Sequence, residues 1–338
     1  MIPYTRKTLP NGLTVVVNRD RASKLAAVNI LYRVGARNEN PARTGFAHLF
    51  EHLMFRGTRA VENFDLPVQM ASGDNNAFTN NDYTDFYITL PKDNLETALW
   101  LESDRMEGLD ITPAKLEAEK KVVIEEFRQR YLNQPYGDQT MLLRALAYKV
   151  HPYRWAAIGL ATDHIAGATL ADVESFYRAH YRPSNAILSI SADMEEERML
   201  ELAEKWFAPL ADHPSATAAI PQEPMQTQAR RQEVERDVPA STVTVAYHMC
   251  ARTKPDFYTA DLVSDLLSGG DSGRLYTHLV KERNLLSSVN AYITGDVDPG
   301  LFVFTGQLLP GVTPEAAEAA FREEIEALQT TAATAYEI

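Results

Sequence analysis

The segment Gly45-Phe46-Ala47-His48-Leu49-Phe50-Glu51-His52-Leu53-Met54-Phe55-Arg56-Gly57-Thr58 decides how this chain is read. Written as a helix of about 3.6 residues per turn, it stacks positions i and i+4 on one face. His48 and His52 then point the same way, and their imidazoles can share one metal ion. Glu51, three residues after His48, lies close to that face. Two neutral histidines and a nearby carboxylate suit Zn²⁺. A catalytic zinc takes three protein ligands and keeps one position open, so a third ligand has to come from elsewhere in the chain. An amphipathic core helix with two satisfied histidines fits the same residues.

The second informative run begins at Thr112-Pro113, a helix start with proline at the first helical position. Projected at about 100° per residue, Glu119 and Glu126 are seven apart and fall within about 20° of each other. Val122 and Val123 are expected to flank them on that face, with Glu117 and Glu125 pointing away beside the lysines. A buried carboxylate is costly unless it is paired or bound to metal. The alignment therefore favours a metal-facing pair over two solvated acids at a helix edge.

Composition narrows the classes. A length of 338 residues fits two domains, and 45% hydrophobic content can build a large core. The net charge of -13 argues against a nucleic-acid partner, whose phosphates would be repelled. One cysteine, Cys250, excludes an internal disulfide and reads as a small buried residue after the strand-like run 243–249. No apolar run reaches membrane-spanning length, and residues 1–14 hold no signal-like stretch. The expected location is cytoplasmic, or periplasmic if a leader has been removed. The glycine-rich turn 268–273 lacks the Gly-Lys-Ser/Thr of a phosphate loop, which disfavours nucleotide binding.

Along the chain, Asn11-Gly12 signals a hairpin before a strand at 13–18. Further strands are expected at 26–34, 75–79, 84–90, 186–191, 231–234, 242–249, 287–294 and 301–307. Helices are expected at 61–71, 94–106, 141–150, 170–180, 195–210, 258–267, 274–281 and 314–328. The stretch 211–228, rich in Ala, Pro, Thr and Gln, is the best linker. It puts a boundary near residue 220, giving domains 1–220 and 221–338. The second part echoes the element order of the first and stops early, as a C-terminally truncated copy would.

Taken together, residues 35–39 (Gly-Ala-Arg-Asn-Glu), the quoted segment 45–58, Asn76-Ala77-Phe78-Thr79, Glu119 with Glu126, His151-Pro152-Tyr153-Arg154, and Ser268-Gly269-Gly270 with Arg274-Leu275 resemble the pitrilysin and mitochondrial processing peptidase family of zinc proteases. Its His-x-x-Glu-His motif is the inverzincin pattern. The resemblance implies an α+β fold of two similar domains, each an antiparallel β-sheet with helices packed on one face. It implies one Zn²⁺ per chain held by His48, His52 and Glu126, with Glu51 as the base that activates water and Glu119 as a supporting acid. Asn76, Ala77, Phe78 and Thr79 would form an edge strand that pairs with a peptide substrate. The implied activity is endopeptidase cleavage of short or unfolded peptides.

One departure stands out. Family members carry an Arg and a Tyr seven positions apart in the C-terminal half, near a Leu-Arg-x-x-x-Gly-Leu-x-Tyr pattern. Here Val280 and Ser287 occupy those positions. The resemblance then implies the metal-bearing subunit of the two-subunit bacterial type, a heterodimer whose related partner supplies the Arg/Tyr pair. The alternatives are a homodimer in which Arg274, Tyr276 or Arg283 substitutes, a non-catalytic core or assembly subunit of a larger complex, and a presequence-processing peptidase.

Overall fold

The structure is a computed structural model that describes residues 2–213, 219–335 and 337. The chain forms two compact units, one of Met1–Asn133 with Tyr148–Gln226 and one of Gln134–Ala147 with Thr227–Ile338. The helices in chain order are α1 (Phe46–Leu53), α2 (Asp65–Met70), α3 (Leu95–Glu107), α4 (Pro113–Phe127), α5 (Gln139–Ala147), α6 (Thr162–Ala166), α7 (Leu170–His180), α8 (Glu196–Phe207), α9 (Pro255–Ser268) and α10 (Pro314–Thr330). Among the described residues no helix is long and apolar enough to cross a membrane.

The first unit is built on six strands, β1 (Thr5–Thr8), β2 (Thr14–Arg19), β3 (Leu25–Tyr32), β4 (Asp74–Thr79), β5 (Thr84–Pro91) and β6 (Ala186–Ala192). They lie in the order β1-β2-β6-β3-β5-β4. Every neighbouring pair is antiparallel except β2–β6, which is parallel because β6 arrives through the long helical excursion from β5 rather than through a hairpin. The register explains the one-sided core. Val28 stands opposite Ile190 and Ile88, Ile30 opposite Leu188 and Phe86, and Val15 opposite Leu188, so one face is continuously apolar and buried. Helices α3 and α8 contact the strands of this sheet and each other, burying Leu99, Met199, Leu202 and Phe207. Helix α3 also buries an ion pair. Arg105 bonds Glu102 at 2.5 Å and lies 4.2 Å from the ring centres of both Phe64 and Phe86.

The second unit has β7 (Thr242–His248), β8 (Leu286–Ile293) and β9 (Leu301–Leu308), antiparallel in the order β7-β9-β8. Its core gathers Leu267, Leu275, Leu279, Phe304 and Phe321.

Several expectations differ from the structure. Residues 134–147 belong to the second unit, which a single cut near 220 does not describe. Gln139 bonds Thr305 at 3.1 Å, and the Tyr136 hydroxyl donates to the Ala240 carbonyl at 2.8 Å. The division otherwise passes after residue 226. Of the expected linker 211–228, the described part carries no helix or strand, and residues 214–218 lie outside the described set. The helix expected over 61–71 shrinks to α2. The Thr58 and Asn63 side chains accept from the Val61 and Asp65 amides at 3.0 Å each, turning the chain before a helix can start. No strand forms at 231–234, an exposed run of Arg, Gln and Glu around one valine with no apolar face to bury. The turn at 274–281 is largely π-helical over Tyr276–Glu282. Cys250 is partly exposed rather than buried, since the chain has left β7 past the exposed Tyr247 and His248.

Candidate metal centre

Helix α1 is only eight residues long, and its start is fixed from outside. Gly45 sits at φ +90°, where a Cβ would come within 2.6 Å of the Ile158 carbonyl oxygen. The buried Glu39 carboxylate caps the helix, accepting from the Gly45 amide at 2.8 Å and the Ala47 amide at 2.9 Å. Leu49, Phe50 and Leu53 bury the opposite side, which leaves His48 and His52 on the side shared with α4. Helix α4 begins as its sequence dictates, the Thr112 hydroxyl accepting from the Lys115 amide at 3.2 Å with Pro113 at the first position. It buries Leu116, Glu119, Val123 and Phe127. After Glu126 the helix widens into a π-turn over Arg128–Leu132, closed by the Asn133 amide donating to the Arg128 carbonyl at 2.8 Å.

The two helices bring the expected residues together. His48, His52 and Glu126 each offer a ligand atom, and these atoms all lie within 4.8 Å of one another. Glu126 Oε2 is 3.3 Å from His52 Nε2 and 3.6 Å from His48 Nε2. The imidazole centres are 4.9 Å apart with the rings at 79°. Glu119 is buried, with Oε2 3.6 Å from His52 Nδ1 and Oε1 2.6 Å from Arg56 Nε. Glu117 and Glu125 are exposed, as their helical phase requires. Val122, expected on the inner face, is 44% exposed instead, because it borders an open hollow rather than the core. That hollow, about 1150 Å³, lies beside the centre; its lining mixes Phe55, Leu66, Trp100 and Val122 with charged groups such as Arg56 and Lys115, and it includes His52 and Glu119.

Electrostatics separates the two histidines. Burial lowers the His48 pKa to about 4, against the opposing pull of Glu126, so its imidazole is neutral near pH 7. Burial also opposes charge on His52, but Glu119 and Glu126 outweigh it and raise that pKa to about 9. For Glu119 burial works against ionisation, yet His52 and Arg56 prevail and hold it below the usual carboxylate range. Glu126 is likewise lowered, chiefly by His52. Glu51 moves the other way: burial raises it, while a hydrogen bond with the Thr79 side chain pulls against that rise.

Two buried polar atoms here, His48 Nδ1 and Glu119 Oε2, have no hydrogen-bond partner. At the centre itself the donor set is two imidazoles and a carboxylate gathered within 4.8 Å, which fits a zinc ion, whose ligands are nitrogen, sulfur and carboxylate oxygen.

The expected substrate strand is β4, which ends the six-stranded sheet with one edge free of a partner strand among the described residues. Asn76 and Phe78 are exposed, Ala77 and Thr79 half-buried, and Thr79 reaches Glu51. In the second unit Val280 packs against the core and Ser287 is exposed at a bulge of β8. Arg274 is held by Glu337, Arg283 pairs with Glu323 at 2.7 Å, and Tyr276 lies under Lys281. Sequence reasoning missed Arg56, Glu39 and Arg130, whose Nη1 is 3.1 Å from Glu126 Oε1. For Arg130 the signal was present as i+4 spacing from Glu126.

Two family models match the chain: the insulinase-type peptidase M16 domain over residues 14–155 and the peptidase M16 inactive domain over residues 167–338. A Helicobacter pylori protein named zinc protease PqqE is 33% identical over 95% of this chain and 72% of its own length. An Arabidopsis thaliana protein named probable mitochondrial-processing peptidase subunit beta is 26% identical, over 89% of this chain and 59% of its own. The crystal structure of a protease from Helicobacter pylori superposes with a TM-score of 0.94 at 31% identity, covering all of this chain and 82% of that one. With a model matched in each half and a third of its residues shared with a relative along nearly its whole length, the chain belongs to the peptidase M16 family.

Proposed function

We propose that the chain is a zinc-dependent endopeptidase acting on short or unfolded peptides. The observation that carries this reading is the convergence of His48, His52 and Glu126 within 4.8 Å, with Glu51 on the same helix. His48, His52 and Glu126 would hold the zinc. Bound there, it supplies a Lewis acid that polarises the scissile carbonyl and makes water more acidic. Glu51 takes the proton from the attacking water and returns it to the leaving amine. Its burial raises its pKa, which suits a group that must accept and then release a proton. Glu119 faces His52 Nδ1, which favours a proton on that nitrogen and leaves Nε2 for the metal. The free edge of β4 would receive an extended peptide through backbone hydrogen bonds, a mode with little side-chain preference. The hollow beside the centre would take a side chain of that peptide. Since Val280 and Ser287 stand where relatives carry Arg and Tyr, full activity would need a related subunit that supplies the pair.

Zinc analysis and peptide hydrolysis of Glu51→Gln test the reading. The variant should carry one zinc per chain, as wild type does, and lose about 10²- to 10⁴-fold in turnover. Hydrolysis at the wild-type rate would remove Glu51 from the mechanism. A second reading, a non-catalytic subunit, draws on the match of residues 167–338 to a domain described as inactive. Wild-type chain with neither zinc nor turnover would favour it.

A further inference from the structure

Both carboxylates that face the histidines have their second oxygen held by an arginine. Glu126 turns Oε2 to His52 and His48, while its Oε1 meets Arg130 Nη1 at 3.1 Å. Glu119 turns Oε2 to His52 Nδ1, while its Oε1 meets Arg56 Nε at 2.6 Å. The terminal torsion of a glutamate is broad, so the plane of a free carboxylate is loosely held. A charge-assisted bond to one oxygen fixes that plane and leaves a single oxygen facing the centre.

The backbone sets up both contacts. Arg130 stands in the π-turn that follows α4, four residues beyond Glu126, and Arg56 lies just past the end of α1, four residues beyond His52. Neither arginine is buried: Arg130 is 68% exposed at its side chain and Arg56 is 53% exposed. Their repulsion of a nearby cation is therefore screened by water, whereas their hold on the carboxylates acts at contact distance.

We propose that Arg130 and Arg56 are positioning residues of the metal centre. Arg130 holds the plane of the Glu126 carboxylate so that a single oxygen faces the ion, and Arg56 fixes Glu119 and through it the His52 ring. The inference rests on the assignment of His48, His52 and Glu126 as ligands.

Competition with a chromophoric zinc chelator on the full chain tests it, with the thermal midpoint of the zinc-free protein recorded for each variant. Arg130→Ala should weaken zinc binding about 10- to 100-fold with the zinc-free midpoint unchanged. Arg130→Lys should recover most of that loss, because a single donor makes the contact. Arg56→Ala should weaken binding in the same direction but less, since it acts through two residues. With Co²⁺ in place of zinc, Arg130→Ala should shift the visible absorption bands and Arg130→Lys should restore them. Arg130→Ala that binds zinc as tightly as wild type, while His48→Ala loses it, overturns the clamp alone. Tighter binding also overturns it, by making Arg130 a competitor for Glu126. Wild type that takes up no zinc overturns the ligand assignment and the clamp together.

Discussion

His180, at the end of α7, shows how one side chain sets a pH limit. Burial and the nearby Arg182 lower its pKa from 6.5 to about 4, and its ring sits 4.5 Å from that of Phe176. The folded chain thus binds fewer protons here than the unfolded chain between those values. Its contribution to stability is complete above about pH 6.5 and is lost as the pH falls toward 4. The full loss amounts to about 3–4 kcal/mol. Denaturant unfolding of wild type and His180→Gln should therefore differ by a constant amount above pH 7, and the difference should fall on acidification. A difference independent of pH would refute the assignment. At this scale the sequence was legible where helical phase alone decides. Glu119 and Glu126 face the histidines, and Glu117 and Glu125 face water. Phase could not foresee that the space beside Val122 is an open hollow, because that depends on what the segment 55–67 does.

Helix α1 is two turns long, too short to persist in water by itself. Its start depends on Glu39, whose two oxygens satisfy amides that no other turn of helix can reach. Glu39→Ala should cost about 1–3 kcal/mol, measured by denaturant unfolding, and should weaken zinc binding in parallel. Glu39→Gln, which keeps one acceptor, should lose about half as much. Zinc affinity unchanged in a destabilised Glu39→Ala would mean that the cap does not govern the histidines. Elements with strong local signals were readable in advance. Thr112-Pro113 opens α4 as expected, α7 spans the expected 170–180, and the Asn11-Gly12 hairpin pairs β1 with β2. The failures were elements whose fate lies in particular hydrogen bonds. The Thr58 and Asn63 side chains cut short the helix before α2, and the π-turns depend on amides reaching back five residues. Neither leaves a periodic trace.

For the whole molecule, all three candidate ligands belong to one unit. A ligand that binds only the folded state adds stability with its concentration, about 4 kcal/mol at a thousand times its dissociation constant. Zinc should therefore raise the unfolding midpoint, and a chelator should reverse the rise. Hydrogen exchange should slow most in α1 and α4 and stay unchanged in β8 and β9. Equal protection in both units would argue against a site confined to the first. The α+β class was legible from period-two and period-3.6 runs following each other along the chain. The affiliation of α5 was not, since its periodicity marks an apolar stripe without saying which sheet receives it. The brevity of α1 carries one more implication. Two imidazoles on so small a segment have no geometry of their own to fall back on, so their grip on an ion is lent to them by the sheet and helices behind. Metal uptake should then serve as a gauge of integrity: mild denaturant that loosens this half of the protein should release the ion before the chain as a whole comes apart.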